Sequence, residues 1–205
     1  SVGPAFIGDI DGTGSPVIGV TRPSLLLTYK YNGTANLELF WQITTSDGSG
    51  QTGLTMFDFN QDGIQEIVYR DETQLRIING TINPPIVLAS FECFSGTGLE
   101  HPVIGDIDNT GESKIIVTGS NVSNGLERRG KLMVFGAPEL EQAWAPSRAV
   151  WNQYTYHVLN INDDLTVPQQ QSNNAIYANG AYNNFYVQAS KLDDNGNFVI
   201  PCNEK

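Results

Sequence analysis

The sequence is short of cysteine, histidine, basic charge and long apolar runs, and each shortage removes a class of function. Its two cysteines, Cys93 and Cys202, fit no metal-ligand spacing; they form either one disulfide in an oxidising compartment or two unpaired buried thiols. Its two histidines, His101 and His157, stand outside any HExxH or GxSxG context and read as hydrogen-bonded structural residues. Lys and Arg number 11 against 22 Asp and Glu, a formal net charge of −11. That balance argues against a nucleic-acid backbone or an anionic membrane surface and favours divalent cations and neutral ligands. No apolar run approaches the roughly 20 residues of a membrane-spanning helix, and no basic-plus-apolar signal peptide stands at Ser1. The chain opens on SVGPAFIGDID, already inside a strand-like pattern and without an initiating Met, so it reads as a fragment or processed piece of a longer protein.

What is present is enough for a folded core: 205 residues, 40% hydrophobic and 10% aromatic. Charged residues are only 16%, while glycine (21), Asn, Thr and Ser are plentiful, a composition suited to many turns between short strands. An all-β class is expected. Three Asn-x-Ser/Thr sequons begin at Asn32, Asn79 and Asn121; they matter only in a eukaryotic secretory chain and arise by chance in an Asn-rich sequence.

One stretch repeats. FIGDIDGTGSPVIGV, MFDFNQDGIQEIVY and VIGDIDNTGESKIIV start an acidic loop at Asp9, Asp58 and Asp106, at spacings of 49 and 48 residues. Each has an apolar strand, then D-x-[DN]-x-x-G, then a second apolar strand. Gly14, Gly63 and Gly111 fall at loop position 6, where the chain must turn sharply. The middle loop begins like an EF-hand, but position 12 is Tyr69 rather than a bidentate Glu, and strand-like residues flank it where an EF-hand has helices. Further β-type segments such as QLRIING and PPIVLASFE follow, giving four short strands per unit of roughly 40–50 residues, the period of a β-propeller blade.

These residues resemble the FG-GAP or VCBS repeats of integrin-like β-propellers, whose blades carry D-x-[DN]-x-D-G-x-x-[DE] calcium loops between their first two strands. The resemblance covers about residues 1–140 and implies blades of four-stranded antiparallel sheets, about three of them here, as part of a larger propeller. In the middle copy it implies a calcium ion (Ca2+) held by Asp58, Asn60, Asp62 and Glu66 with the carbonyl of Ile64; the alternative is an Asx-turn network without metal. The first copy keeps Asp9 and Asp11 but has Thr13 and Val17 at positions 5 and 9. The third keeps Asp106 and Asp108 but has Thr110 and Lys114 there, the lysine placed to pair with the aspartates where an ion would sit. A metal-free hydrogen-bonded turn is favoured in both, with Asp9, Asp11, Thr13, Asp106, Asp108 and Thr110 as the weaker calcium positions.

From Phe135 the rhythm changes, and residues 141–205 are expected to complete or cap the propeller. Trp144, Trp151, Tyr154, Tyr156, Tyr177, Tyr182, Phe185 and Tyr186 lie among many Asn and Gln. Such a mixture either packs the last blade or stacks on sugars; packing is favoured because YTYHVLNI alternates like a half-buried strand. WAPSRAVWNQYTYHVLNINDDLTVPQQQ, with a later YNNF, also resembles a stretch found after such repeats in large surface proteins of the Bacteroidetes, gliding- or adhesion-associated and exported by type 9 secretion. The closing DDNGNFVIPCNEK carries a hairpin signal. The expected function is a calcium-stabilised, non-catalytic binding or adhesion module of a secreted or cell-surface protein. Its partners would be an extracellular protein or glycan, other domains of the same chain and possible secretion machinery, with no nucleic acid and no membrane insertion. The alternatives are a purely structural spacer and a polysaccharide-degrading enzyme; the enzyme requires an acidic pair such as Glu139 and Glu141, or Asp163 and Asp164, to converge in a cleft.

Overall fold

The computed structural model describes residues 2–120, 130–138 and 142–192. Eleven strands among them form three antiparallel meanders in chain order. The first sheet pairs β1 (Phe6–Gly8), β2 (Val17–Arg22), β3 (Leu25–Tyr31) and β4 (Leu37–Thr44). The second pairs β5 (Leu54–Phe57), β6 (Glu66–Arg70), β7 (Gln74–Asn79) and β8 (Ile86–Glu92). The third pairs β9 (Val103–Gly105), β10 (Lys114–Gly119) and β11 (Lys131–Phe135), three described strands where four were expected. The protein is all-β, and the three sheets do not close on one another. No helix among the described residues is long and apolar enough to cross a membrane.

Sheet order follows from which faces are apolar. β5 and β6 are buried at every position, because both of their faces are covered. Leu54, Met56, Ile67 and Tyr69 face the first sheet and meet Phe6, Val17, Leu26 and Trp41. Phe57, Val68 and Ile77 face the third and meet Ile104, Ile115 and Val117. Burial therefore shows no alternation along β5 and β6, where Thr55 and Glu66 are buried with their apolar neighbours, whereas along VIGVTR on the outer sheet it alternates. Each such Leu, Ile or Phe taken from water contributes roughly 1.5–3 kcal/mol. Trp41 also satisfies its indole N–H by donating to the Gly80 carbonyl at 3.0 Å. Gly19 is required by contact: a Cβ there would lie 1.8 Å from the Phe6 ring.

The sheets repeat in detail. The β3–β4 register shifts between Thr28 and Tyr29, and β7–β8 shifts between Ile77 and Ile78, leaving Phe40 and Leu88 as the extra residues of matching bulges. Two of the three sequons prove to be turn chemistry. Asn32 Oδ1 accepts from the Thr34 amide at 3.0 Å, and Asn79 Oδ1 accepts from the Thr81 amide at 3.0 Å, each closing an Asx turn. Asn121 lies outside the described residues, as do Glu139, Glu141, the DNG near the C-terminus and Cys202. Cys93 is a free, fully buried thiol whose Sγ lies 3.8 Å from Met133 Sδ.

The tail runs across the inner edges of the sheets. Ile7 and Phe185 exchange backbone hydrogen bonds at 3.2 and 2.7 Å; Met56 donates to Tyr186 O and accepts from the Gln188 amide, both at 2.9 Å. The buried Gln188 side chain donates to the carbonyls of Ile104 (2.8 Å), Arg148 (3.1 Å) and Val150 (3.3 Å), which ties β9 to the tail. The expected strand over YTYHVLNI is absent. In its place the chain curls through a 3-10 turn at Val158–Asn160 around the buried Arg148 guanidinium, which donates to the carbonyls of Val158 and Ile161 and pairs with Asp163. A buried cation consumes the acceptors a strand ladder would have used. Trp144 and Tyr156 are buried as the packing alternative requires.

Candidate metal centre

The three loops share one backbone. Position 6 is left-handed in each, at Gly14 (φ 74°), Gly63 (φ 85°) and Gly111 (φ 84°). Position 4 is left-handed as well, at Gly12, Gln61 and Asn109, a constraint invisible in the sequence because only the first is glycine. The position-1 aspartate makes the turn possible by gathering the amides that point inward. Asp58 Oδ2 accepts from the Gly63 amide at 2.9 Å, Asp9 Oδ2 from Gly14 at 2.7 Å, and Asp106 Oδ2 from Gly111 at 3.2 Å. The Asx network weighed from sequence therefore exists in all three loops.

The loops differ in what neutralises them. In the first, Lys30 on β3 places Nζ 2.5 Å from Asp11 Oδ2, and with Thr13 it holds the Asp11 carboxyl below its ordinary value against the opposing effect of burial. In the third, Lys114 lies 3.2 Å from Glu112 and 3.9 Å from Asp108, as the sequence suggested, and Lys191 reaches in from the tail to 3.5 Å from Asp106. Lys30 and Lys191 carry no motif and are far away in the chain, so reading the repeat could not find them.

The middle loop carries Asp58, Asp62 and Glu66, and no lysine or arginine among the described residues pairs with any of them. Asp62 Oδ1 accepts from the Ile64 amide at 2.9 Å, and Asn60 donates to Asp62 Oδ2 at 3.0 Å. Glu66, the first residue of β6, is buried beneath the loop; Oε2 accepts from the Phe59 amide at 3.0 Å and Oε1 has no partner. Burial, then the charges of Asp58 and Asp62, push its carboxyl up to about 8. Asp58 is raised too, first by burial and then by Asp62. In this geometry the side chains serve the loop's own amides, and no group of three acidic, His or Cys side chains among the described residues is drawn together as a ligand cluster. Charge is nevertheless the deficit here. Three carboxylates, an amide oxygen at Asn60 and the Ile64 carbonyl are the hard oxygen donors that a calcium ion takes in sixes to eights, and the orphaned Glu66 Oε1 is one of them.

Of the two histidines expected to be hydrogen-bonded, only His157 is: the buried His101 Nε2 has no hydrogen-bond partner among the described residues, because aromatic rings enclose it. His157 accepts from the Leu159 amide at 3.2 Å and its Nε2 lies 2.9 Å from Tyr182 O. His101 sits against Tyr154 (ring centroids 4.6 Å), Tyr186 (5.5 Å) and Trp151 (5.7 Å), and burial lowers it to about 4. Asp163 pairs with Arg148, while Asp164 accepts from the Thr166 amide at 3.0 Å, so this acidic pair does not converge.

The chain matches no protein-family model and no curated protein. Among solved structures its fold is similar to the V. cholerae biofilm matrix protein Bap1, with a TM-score of 0.68 and 20% sequence identity. The likeness covers 91% of this chain and 28% of that one, and at this identity it is a likeness of fold.

Proposed function

We propose that the chain is a calcium-stabilised, non-catalytic binding or adhesion module of a secreted or cell-surface protein, its three sheets acting as blades of an FG-GAP/VCBS-type propeller. The observation that carries this reading is the contrast among the loops: lysine neutralises the first and third, while the middle one keeps three acidic side chains with no lysine or arginine paired to them among the described residues. Asp58, Asn60, Asp62, Glu66 and the Ile64 carbonyl would hold the ion, and Asp9, Asp11, Thr13, Asp106, Asp108 and Thr110 would form metal-free turns. A bound divalent cation supplies the missing positive charge. The loop residues themselves fix the β5–β6 connection and hold Glu66 beneath it. Without a cation Asp58 and Asp62 crowd Glu66, which keeps its proton near neutral pH, so calcium binding displaces that proton and is coupled to folding.

The extracellular setting is supported by the fold shared with a biofilm matrix protein. Export by type 9 secretion rests only on the resemblance of the tail. A non-catalytic role is supported by the fixed partners of His157, Asp163 and Asp164. Thermal melts in calcium and in chelator test the proposal. At a hundredfold excess over Kd, calcium adds about 2.7 kcal/mol, a rise of roughly 5–10 °C for a domain of this size. Identical melts overturn it.

A further inference from the structure

A groove lies where the tail crosses the first two loops. Two cavities, of about 350 and 190 Å³, share Asn183 and Asn184. Asn160, Gln171 and Asn174 add amides to the larger, with Ile7 and Phe185 as an apolar surface; Gln65 and Asp9 border the smaller. Among the described residues no lysine or arginine lines either cavity, and His157, which borders the larger, has both ring nitrogens engaged, with the Leu159 amide and Tyr182 O. The one carboxylate, Asp9, is already spent on the amides of Thr13 and Gly14.

This lining selects a ligand by exclusion. An anionic ligand finds no lysine or arginine here and meets a chain of net charge −11. An extended peptide would need a free strand edge, but the backbone of β1 at Ile7 is taken by Phe185. An apolar ligand would bury the amides unpaired. A side-chain amide donates and accepts at once, as each hydroxyl of a sugar does, and an aromatic ring offers a face to the C–H side of a pyranose. The larger cavity falls within the roughly 300–1,000 Å³ of ligand sites. Part of it is held ready: Gln171 donates to Asn160 at 2.8 Å, and Phe185 is pinned by its two bonds to Ile7. Asn184 is held only loosely, by a 3.4 Å bond to Ala181 O, and its Oδ1 is buried without a partner, so a turn of that amide would offer the acceptor to a hydroxyl.

We propose that this groove binds a neutral oligosaccharide, with the Asn and Gln amides reading hydroxyls and Phe185 supporting a ring. The proposal deepens the reading of the chain as a non-catalytic binding module and rests on it. Ligand-observed NMR on the 205-residue chain tests it with cellotetraose, laminaritetraose, mannotetraose and chitotetraose, a high-mannose glycan released from glycoprotein, and an alginate tetramer as the anionic control. Gln171→Ala/Asn183→Ala removes two exposed amides without touching the core. Saturation transfer to at least one neutral probe, weakened tenfold or more in the double variant and absent with alginate, is expected. Preference for the released glycan or for a linear tetramer then identifies the source as glycoprotein or polysaccharide. No transfer to any neutral probe, undiminished transfer in the double variant, or equal transfer to alginate overturns the proposal. Chromatography of the same samples separates the two levels: shortened probes would overturn the non-catalytic reading while leaving the groove as the saccharide site.

Discussion

Glu66 gives the account its most quantitative consequence. In metal-free protein its carboxyl is raised from 4.5 to about 8 by burial and by Asp58 and Asp62, so the fold binds a proton that the unfolded chain releases. The group's contribution to stability is therefore fully present below about pH 4.5 and is lost as pH rises through 8. At about 1.4 kcal/mol per pH unit of displacement, the loss between pH 5.5 and 8.5 is roughly 3 kcal/mol. The perturbation that isolates it is Glu66→Gln, which keeps the shape and cannot titrate, so contributions from other groups cancel in the comparison. Chemical denaturation in chelator, repeated across that range, should show the native chain losing roughly 3 kcal/mol relative to the variant. Saturating calcium should abolish the difference in slope, because the carboxylate is then matched by positive charge. Parallel pH profiles for the two chains in chelator would refute the reasoning, since they would mean that Glu66 is ionised in the fold and already compensated.

Three further outcomes follow from particular contacts. Gln188→Leu leaves the carbonyls of Ile104, Arg148 and Val150 without their donor, and should cost roughly 2–4 kcal/mol, with early proteolytic release of the tail; an unchanged denaturation midpoint would contradict the clamp. His101 should titrate near 4 by NMR, and because its folded value lies below 6.5, its contribution to stability should be lost as pH falls from 6.5 toward 4; titration near 6.5 would contradict its aromatic enclosure. Thr110→Asp/Lys114→Glu/Lys191→Met gives the third loop acids at positions 5 and 9 and removes the tail lysine, and should create a second calcium site by calorimetry. Failure to do so would show that charge is not what distinguishes the loops.

Much of the architecture was legible because it repeats. Three loops at spacings of 49 and 48 residues located the first strand pair of each sheet, whereas the covering of β5 and β6 on both faces was not legible, because Thr55, Glu66 and Arg70 are buried there among the apolar residues. The shared backbone at position 6 was legible because it needs glycine; position 4 was not, because Gln61 and Asn109 adopt the same left-handed conformation. Reading Lys114 against the aspartates succeeded because the partners are close in sequence, whereas Lys30 and Lys191 arrive through sheet pairing and the return of the tail. YTYHVLNI was misread for a similar reason. Alternation registers burial, but Arg148 takes the carbonyls that a neighbouring strand would have taken. The two Asn-Gly-Thr triplets read as chance sequons, and the structure makes both of them Asx turns that close hairpins.

The central claim is that one loop of three binds calcium, and calorimetric stoichiometry tests it most directly. Titration of the native chain and of Asp62→Ala, Asp11→Ala and Asp106→Ala should give one site in the native chain, one in the two outer-loop variants and none in Asp62→Ala. Absence of binding in the native chain, or a site that survives Asp62→Ala, would contradict it.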